Sequence, residues 1–299
     1  MTVDNPAAPI FVPSVHTKFF VLFGDPLSFS VSAWMHNHVF RKLGMDCLYS
    51  PLEIGEEELG TAVKTMETWH CAGANVTMPY KAKVVPYLDD LADSARYTGV
   101  VNTIVLGEDG RKTGHNTDGE GFVQSLYSPL GLDVPSKEYL ILGAGGAASA
   151  VACTLASKGV RRILVLSRKS SFHRAEGLKK RMDEHFPGVC TIDEMNEDVL
   201  RRAVPAHEVI INATKVGMGT YADETVFDTA LLSPCQAVCD VVYNPRETKM
   251  ILEAKGKGCK ALGGLWMLVN QGAEAFRLWT GVEPPVDFMY ETACRFLDR

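Results

Sequence analysis

The apolar positions of this chain come in short runs, and the runs change rhythm along its length. Lys18–Gly24 (KFFVLFG) predicts a buried strand that stops at a turn with Pro26. Ala33–Leu43 has helical spacing, and Cys47–Leu52 predicts a second strand. Glu56–Thr68 again has helical spacing, and Gly73–Thr77 predicts a short strand stopped by Pro79. Strand and helix in alternation predict parallel sheet order, because parallel neighbours need a crossover between them.

The middle of the chain repeats this logic more plainly. Glu138–Leu142 (EYLIL) predicts a strand, Gly143–Gly146 a tight turn, and Ala147–Lys158 a helix of small residues that Gly159 ends. Arg162–Leu166, Val209–Asn212 and Ala237–Val242 predict further strands, each followed by turn residues. This is βαβ logic with a doubly wound sheet. Leu265–Asp298 predicts mostly helix, broken by the turn Gly281–Pro285, and the tail is expected to return onto the first part of the chain.

Composition narrows the classes. At roughly 150 residues per domain, the 299 residues suggest two domains. Hydrophobic residues make up 46% and charged residues 22%, enough apolar surface to offset ordering entropy, so a disordered chain is excluded. No stretch of about 18 residues is apolar and free of charge, and no membrane span is expected. With 36 acidic and 30 basic residues the net charge is −6, which argues against a nucleic-acid partner. Of eight scattered cysteines only Cys235 and Cys239 lie close, without a second pair at zinc spacing, so no metal is expected. Free thiols and a start without a basic-then-apolar signal pattern lead to the expectation of a cytoplasmic enzyme.

The first candidate chemistry is the turn Gly143-Ala144-Gly145-Gly146-Ala147-Ala148, which fits G-x-G-x-x-A between a strand and a helix. Its glycines permit a tight turn and close approach of a pyrophosphate, and the helix start offers free N–H groups to phosphate. The next strand ends at Ser167-Arg168-Lys169, with no acid before Glu176 to accept from ribose hydroxyls. Two cations there favour a 2′-phosphate, which points to NADP without excluding NAD.

The second candidate is a proton-moving pair. Lys81 follows the strand end at Pro79, where an α/β sheet builds its site. Asp118 lies in Gly114-His115-Asn116-Thr117-Asp118-Gly119, a polar turn before the helix-spaced Phe122–Leu126, and also reads as a helix N-cap. Reducing a ketone requires an acid at the developing alkoxide, and a lysine beside a carboxylate supplies one.

Several segments then match one family in order and spacing. They are Gly24-Asp25-Pro26, Ser30-Val31-Ser32, His36-Asn37, Asn75-Val76-Thr77 with Pro79 and Lys81, Asn102-Thr103, and Asn116-Thr117-Asp118. After the glycine turn come Asn212-Ala213-Thr214, Tyr243-Asn244-Pro245 and Met267-Leu268 with Gln271-Gly272. The chain resembles the shikimate dehydrogenases, and within them the quinate/shikimate branch. The resemblance implies that Lys81 and Asp118 are the catalytic pair. It implies that Ser30 and Ser32 bind the substrate carboxylate, and that Thr77, Lys81, Asn102, Asp118 and Gln271 hold the ring hydroxyls, with Tyr49 and Tyr243 lining the pocket. It assigns the cofactor to Gly143, Ala144, Gly145, Gly146, Ala147, Ser167, Arg168, Lys169, Asn212, Thr214 and Gly264. The family's His-Ser-x-Ser-Pro is here Phe29-Ser30-Val31-Ser32-Ala33, which loses the stiffening proline, and the first 17 residues have no counterpart in a minimal member.

The expectation is an α/β chain of two domains. Residues 1–117 and 265–299 form an α/β substrate domain, and residues 118–264 a Rossmann-type dinucleotide-binding domain. The expected reaction is hydride transfer between NADP(H) and the shikimate/3-dehydroshikimate pair, by a monomer or homodimer acting on a small molecule. Alternatives are a quinate dehydrogenase using NAD or NADP, a metabolite sensor without catalysis, and a folate-type dehydrogenase. Ser32, where quinate-preferring relatives often carry threonine, leans toward shikimate.

Overall fold

The computed structural model describes residues 11–27 and 30–299. Two six-stranded sheets divide the chain. The first holds β1 (Lys18–Gly24), β2 (Cys47–Glu53), β3 (Cys71–Val76), β4 (Asp90–Leu91), β5 (Thr103–Leu106) and β6 (Lys112–His115), in the order β2-β1-β3-β5-β6-β4. β1 is parallel to both β2 and β3, but β3 and β5 are antiparallel, as are β5 and β6. The three strands read from the alternation are parallel as expected; β5 and β6, which the apolar pattern does not single out, add the antiparallel part. The loop between β5 and β6 is too short for a crossover, so those strands form a hairpin. Helices α1 (Val31–Lys42), α2 (Glu56–Lys64) and α3 (Asp93–Thr98) belong to this part. The helical stretch predicted to Thr68 instead ends at Lys64 and continues as a 3₁₀ turn over Met66–Trp69.

Helix α4 (Asp118–Tyr127) leads into the second sheet. There β7 (Tyr139–Leu142), α5 (Gly146–Ser157), β8 (Ile163–Ser167), α6 (Phe172–His185), β9 (Cys190–Glu194), α7 (Glu197–Ala206), β10 (Val209–Asn212), β11 (Ala237–Asp240), α8 (Lys249–Gly256) and β12 (Lys260–Leu262) follow in turn. The order is β9-β8-β7-β10-β11-β12, with every pair parallel, which is the dinucleotide-binding arrangement with its switch point between β7 and β10. β11 stops at Asp240, two residues before the predicted end, because the Asp240 carboxylate accepts from the Val242 N–H (2.9 Å) and turns the backbone out of the ladder.

The tail forms α9 (Leu265–Thr280) and α10 (Val286–Leu297). Leu265, Val269, Ala273 and Phe276 of α9 and Met289 and Ala293 of α10 share a buried cluster with Phe20, Leu22, Met35 and Tyr49. On another face of α9, Met267 joins the cluster of β7, α4 and α5. Helix α4 is tight against both neighbours: a Cβ on Gly119 would lie 2.4 Å from the Ala150 carbonyl of α5, and one on Gly121 would lie 2.4 Å from the Gln271 nitrogen of α9. Among the described residues no helix is long and apolar enough to cross a membrane, and no cluster of side chains suits a metal ion. All eight cysteines are free thiols.

Candidate active site

The end of β3 and the start of α4 bring two distant residues together. The Lys81 ammonium donates to Asp118 Oδ2 at 2.5 Å, with the side chains 26% and 14% exposed. The Lys81 backbone is held where its carbonyl accepts from the Val101 N–H (2.8 Å). Asp118 is not the helix cap expected as one reading; Thr117 takes that place and Asp118 is the first helical residue. Its own N–H donates to Asn116 Oδ1 (3.1 Å), and the positive end of α4 favours its carboxylate.

Asn102 sets the second carboxylate oxygen. Its Nδ2 donates to Asp118 Oδ1 at 2.8 Å and to Thr117 Oγ1 at 3.0 Å, and lies 3.4 Å from Gln271 Oε1. An amide nitrogen has two hydrogens, so the distant Gln271 oxygen is the acceptor left short. Gln271 Nε2 donates to the Leu268 carbonyl (2.8 Å), which aims that oxygen at the site. Beneath, the Tyr49 hydroxyl donates to Asn75 Oδ1 (2.8 Å), and Asn75 Nδ2 donates to the Asn102 carbonyl and Thr103 Oγ1, each at 3.0 Å. A continuous polar chain therefore runs from Tyr49 through Asn75, Asn102 and Asp118 to Lys81. Asn75, Asn116 and Thr117 were visible only as members of motifs; their signal was a polar residue in an apolar strand or turn, which demands partners when buried.

Of the other residues expected on the substrate side, Tyr49 is connected to this pair through Asn75 and Asn102. Ser30 caps α1 and accepts from the Ser32 N–H (3.3 Å), so the capping role is present. Phe29, whose replacement of histidine bears on this loop, lies outside the described residues, as does the start of the N-terminal extension. Tyr49 is fully buried; burial pushes its phenol well up, with Ser32 opposing. Thr77 follows β3, half-buried, its N–H bonded to the Phe23 carbonyl (2.9 Å). Tyr243 follows β11 and is half-buried against the α9 and α10 cluster, which raises its pKa.

On the opposite sheet, the Gly143 N–H donates to the Leu166 carbonyl (2.7 Å) at φ +106°, and a Cβ there would lie 2.9 Å from the Ala213 carbonyl. Glycine is required by both strain and space. Ala144 and Ala147 are half-buried beside it. Gly145 and Gly146 are different: a Cβ on either would meet nothing within 4 Å. They leave open space at the N-terminus of α5, where the first N–H groups of a helix are free to meet an anion. Beyond β8, Ser167 is buried and turned inward to the Ser171 carbonyl (3.3 Å), while Arg168 and Lys169 are exposed.

Asn212 is buried at the end of β10 and its side chain is fully engaged. Oδ1 accepts from Thr214 N–H (3.0 Å) and Oγ1 (2.7 Å), and Nδ2 donates to the Val216 carbonyl (2.9 Å) and Asp240 Oδ1 (3.0 Å). It shapes the turn that carries Thr214. Gly264 caps α9, and a Cβ there would lie 2.3 Å from the Val241 carbonyl. Asp240 is buried, and burial pushes its carboxyl up to about 6 against the pull of its hydrogen bonds.

Three family models match along the chain: the shikimate dehydrogenase substrate binding domain over residues 22–104, shikimate/quinate 5-dehydrogenase over 128–232, and the shikimate 5′-dehydrogenase C-terminal domain over 264–294. Shikimate dehydrogenase (NADP(+)) of Alkaliphilus oremlandii is 37% identical over 94% of this chain and 98% of its own length. Shikimate 5-dehydrogenase of Listeria monocytogenes, solved in complex with shikimate and NAD, superposes with a TM-score of 0.89 at 36% identity, covering 93% of this chain and 97% of that one. Quinate dehydrogenase of Corynebacterium glutamicum, solved with NAD, gives 0.86 at 31% identity over 93% and 99%.

Proposed function

The chain belongs to the shikimate dehydrogenase family, and we propose that it reduces 3-dehydroshikimate reversibly to shikimate with NADPH. The observation that carries this reading is the Lys81–Asp118 pair, 2.5 Å apart and cross-braced by Asn102. When bound, NADPH supplies the hydride to the ketone carbon. Lys81 then protonates the developing alkoxide from Nζ, and in the oxidative direction accepts that proton. Asp118 keeps the ammonium aimed, and Asn102 keeps Asp118 from turning away. Ser30 and Ser32 take the substrate carboxylate through hydroxyls. Thr77, Asn102 and Gln271 meet ring hydroxyls, Gln271 with the acceptor that Asn102 leaves short. Tyr49 and Tyr243 wall the pocket.

The dinucleotide is held by Gly143–Ala147 on its pyrophosphate and by Arg168 and Lys169 on its 2′-phosphate. Asn212 and Thr214 form the facing turn, with Ser167 and Gly264 shaping its edges. We read residues 1–117 and 265–299 as the substrate domain and 118–264 as the dinucleotide domain. The packing of α9 and α10 on β1, β2 and α1 supports this division. The free thiols favour a cytoplasmic setting for an enzyme acting alone or as a homodimer on a small molecule.

The similarity to a quinate dehydrogenase supports a second reading, oxidation of quinate. Measuring kcat/KM for shikimate and quinate with NADP+ and NAD+ decides between them. The first reading expects shikimate with NADP+ to be the preferred pair. A preference for quinate reverses it, and failure to reduce either cofactor rejects both.

A further inference from the structure

Asp240 has no place in the proton transfer, yet it is a carboxylate only 1% exposed. Among the described residues no cation pairs with it. Its partners are three neutral donors from three segments. Asn212 Nδ2 (3.0 Å) and the Val242 N–H (2.9 Å) meet Oδ1, and the Thr248 hydroxyl (2.8 Å) meets Oδ2. Burying a carboxylate among neutral groups is costly, so the site must need what only a carboxylate offers. Two acceptor oxygens and no donor are that feature. Asparagine in the same place presents one oxygen and no charge, and its NH₂ would force the Thr248 hydroxyl to turn round and accept instead of donate.

The three segments converge beside the glycine turn. Asn212 uses its side-chain oxygen and its other amide hydrogen to shape the turn through Thr214 to Val216. That turn packs on Gly143, where a Cβ would lie 3.1 Å from Thr214 Cγ2. The Val242 carbonyl accepts from the Gly264 N–H (2.9 Å) at the start of α9. Thr248, fully buried, caps α8.

We propose that Asp240 is a positioning residue for the dinucleotide: by accepting from Asn212, Val242 and Thr248 it holds the Asn212–Val216 turn against Gly143 and keeps that wall of the cofactor site in place. The proposal rests on reading Gly143–Ala147 as the dinucleotide turn. Asp240 does not touch the reacting atoms, so its loss acts on cofactor affinity before it acts on substrate.

The test is calorimetric titration of the full chain with NADP+, together with steady-state kinetics. Asp240→Asn is expected to raise the NADP+ Kd about tenfold, the loss of a hydrogen bond to a charged group, while the KM for shikimate at saturating NADP+ stays within about twofold. A Kd increase below about threefold, or equal losses for both ligands, overturns the proposal. Should that variant fail to fold, Thr248→Val and Thr248→Ser decide: the valine removes one donor and the serine keeps it. A Kd raised about threefold by valine alone supports the role, and equal affinity in the two overturns it. Wild-type protein that binds no NADP+ would instead bring down the reading of the glycine turn, a distinct result.

Discussion

At the scale of the residue, the chemistry rests on how few freedoms Lys81 and Asp118 retain. Lys81 is anchored by its backbone and Asp118 by a helix start, an asparagine amide and the ammonium itself. If Lys81 is the proton donor, its loss removes one ring contact and leaves the other proposed binding groups in place, so Lys81→Ala should lower kcat by a factor of about 10²–10⁴ with a much smaller change in KM for shikimate. A near-normal kcat in that variant rejects the role. Arg168 carries a separate prediction. Its side chain is exposed just beyond β8, and the proposed function puts it on the ribose phosphate of NADP. Arg168→Ala should raise the KM for NADP+ about tenfold or more and leave that for NAD+ nearly unchanged, since only one of them carries the phosphate. Equal effects on the two cofactors would remove Arg168 from the site.

At the scale of the element, glycines separate packing from binding. Gly119 lets α4 touch α5, and an added Cβ would lie 2.0 Å from Thr154 Oγ1 as well as 2.4 Å from the Ala150 carbonyl. Backbone cannot rotate away as a side chain can. Gly119→Ala should therefore cost about 1–3 kcal/mol in denaturant unfolding. Gly145→Ala makes the opposite prediction. No strained φ and no neighbour within 4 Å stand in its way, so its stability should stay within about 1 kcal/mol of wild type. If the pyrophosphate lies where the proposed function puts it, the new methyl occupies its space and NADP+ affinity should fall about tenfold or more. Unchanged affinity in Gly145→Ala would place the phosphate elsewhere.

At the scale of the whole molecule, buried ionisable groups set how stability follows pH. His36 is fully buried between the rings of Tyr49 and Phe276, and neither ring nitrogen has a hydrogen-bond partner among the described residues. Burial lowers its pKa from 6.5 to about 3. Below pH 6.5 the unfolded chain gains a proton that the folded chain refuses, so stability falls as pH falls, by about 2 kcal/mol at pH 5 from this group. Asp240 works in the other direction. Its folded pKa is raised from 3.8 to about 6, so the stability it contributes is present below 3.8 and lost as pH rises through 6. His36→Phe should flatten the acid-side loss between pH 6.5 and 5 in chemical unfolding, whatever it does to absolute stability. An unchanged slope would mean that His36 finds a partner when protonated.

Much of this protein is determined by local pattern alone. Apolar runs of strand length, the glycine turn and the helix after it specify a parallel dinucleotide fold, because backbone pairing and the needs of a tight turn are short-range. The types of chemical group are equally plain, a lysine past a strand end and an aspartate in a polar turn. What the pattern does not carry is contact between distant residues. The short β5–β6 connection makes a hairpin, an antiparallel part of the first sheet that the alternation does not reach. Asn75 and Thr117 acquire their roles only when Tyr49, Asn102 and Gln271 arrive from other strands and from α9. Asp240 stands at the end of an apolar strand, and its sequence neighbours say nothing of Asn212 or Thr248. Hydrogen-bond geometry in a dry interior depends on tenths of an ångström between elements, and those distances exist only once the sheets and helices have packed.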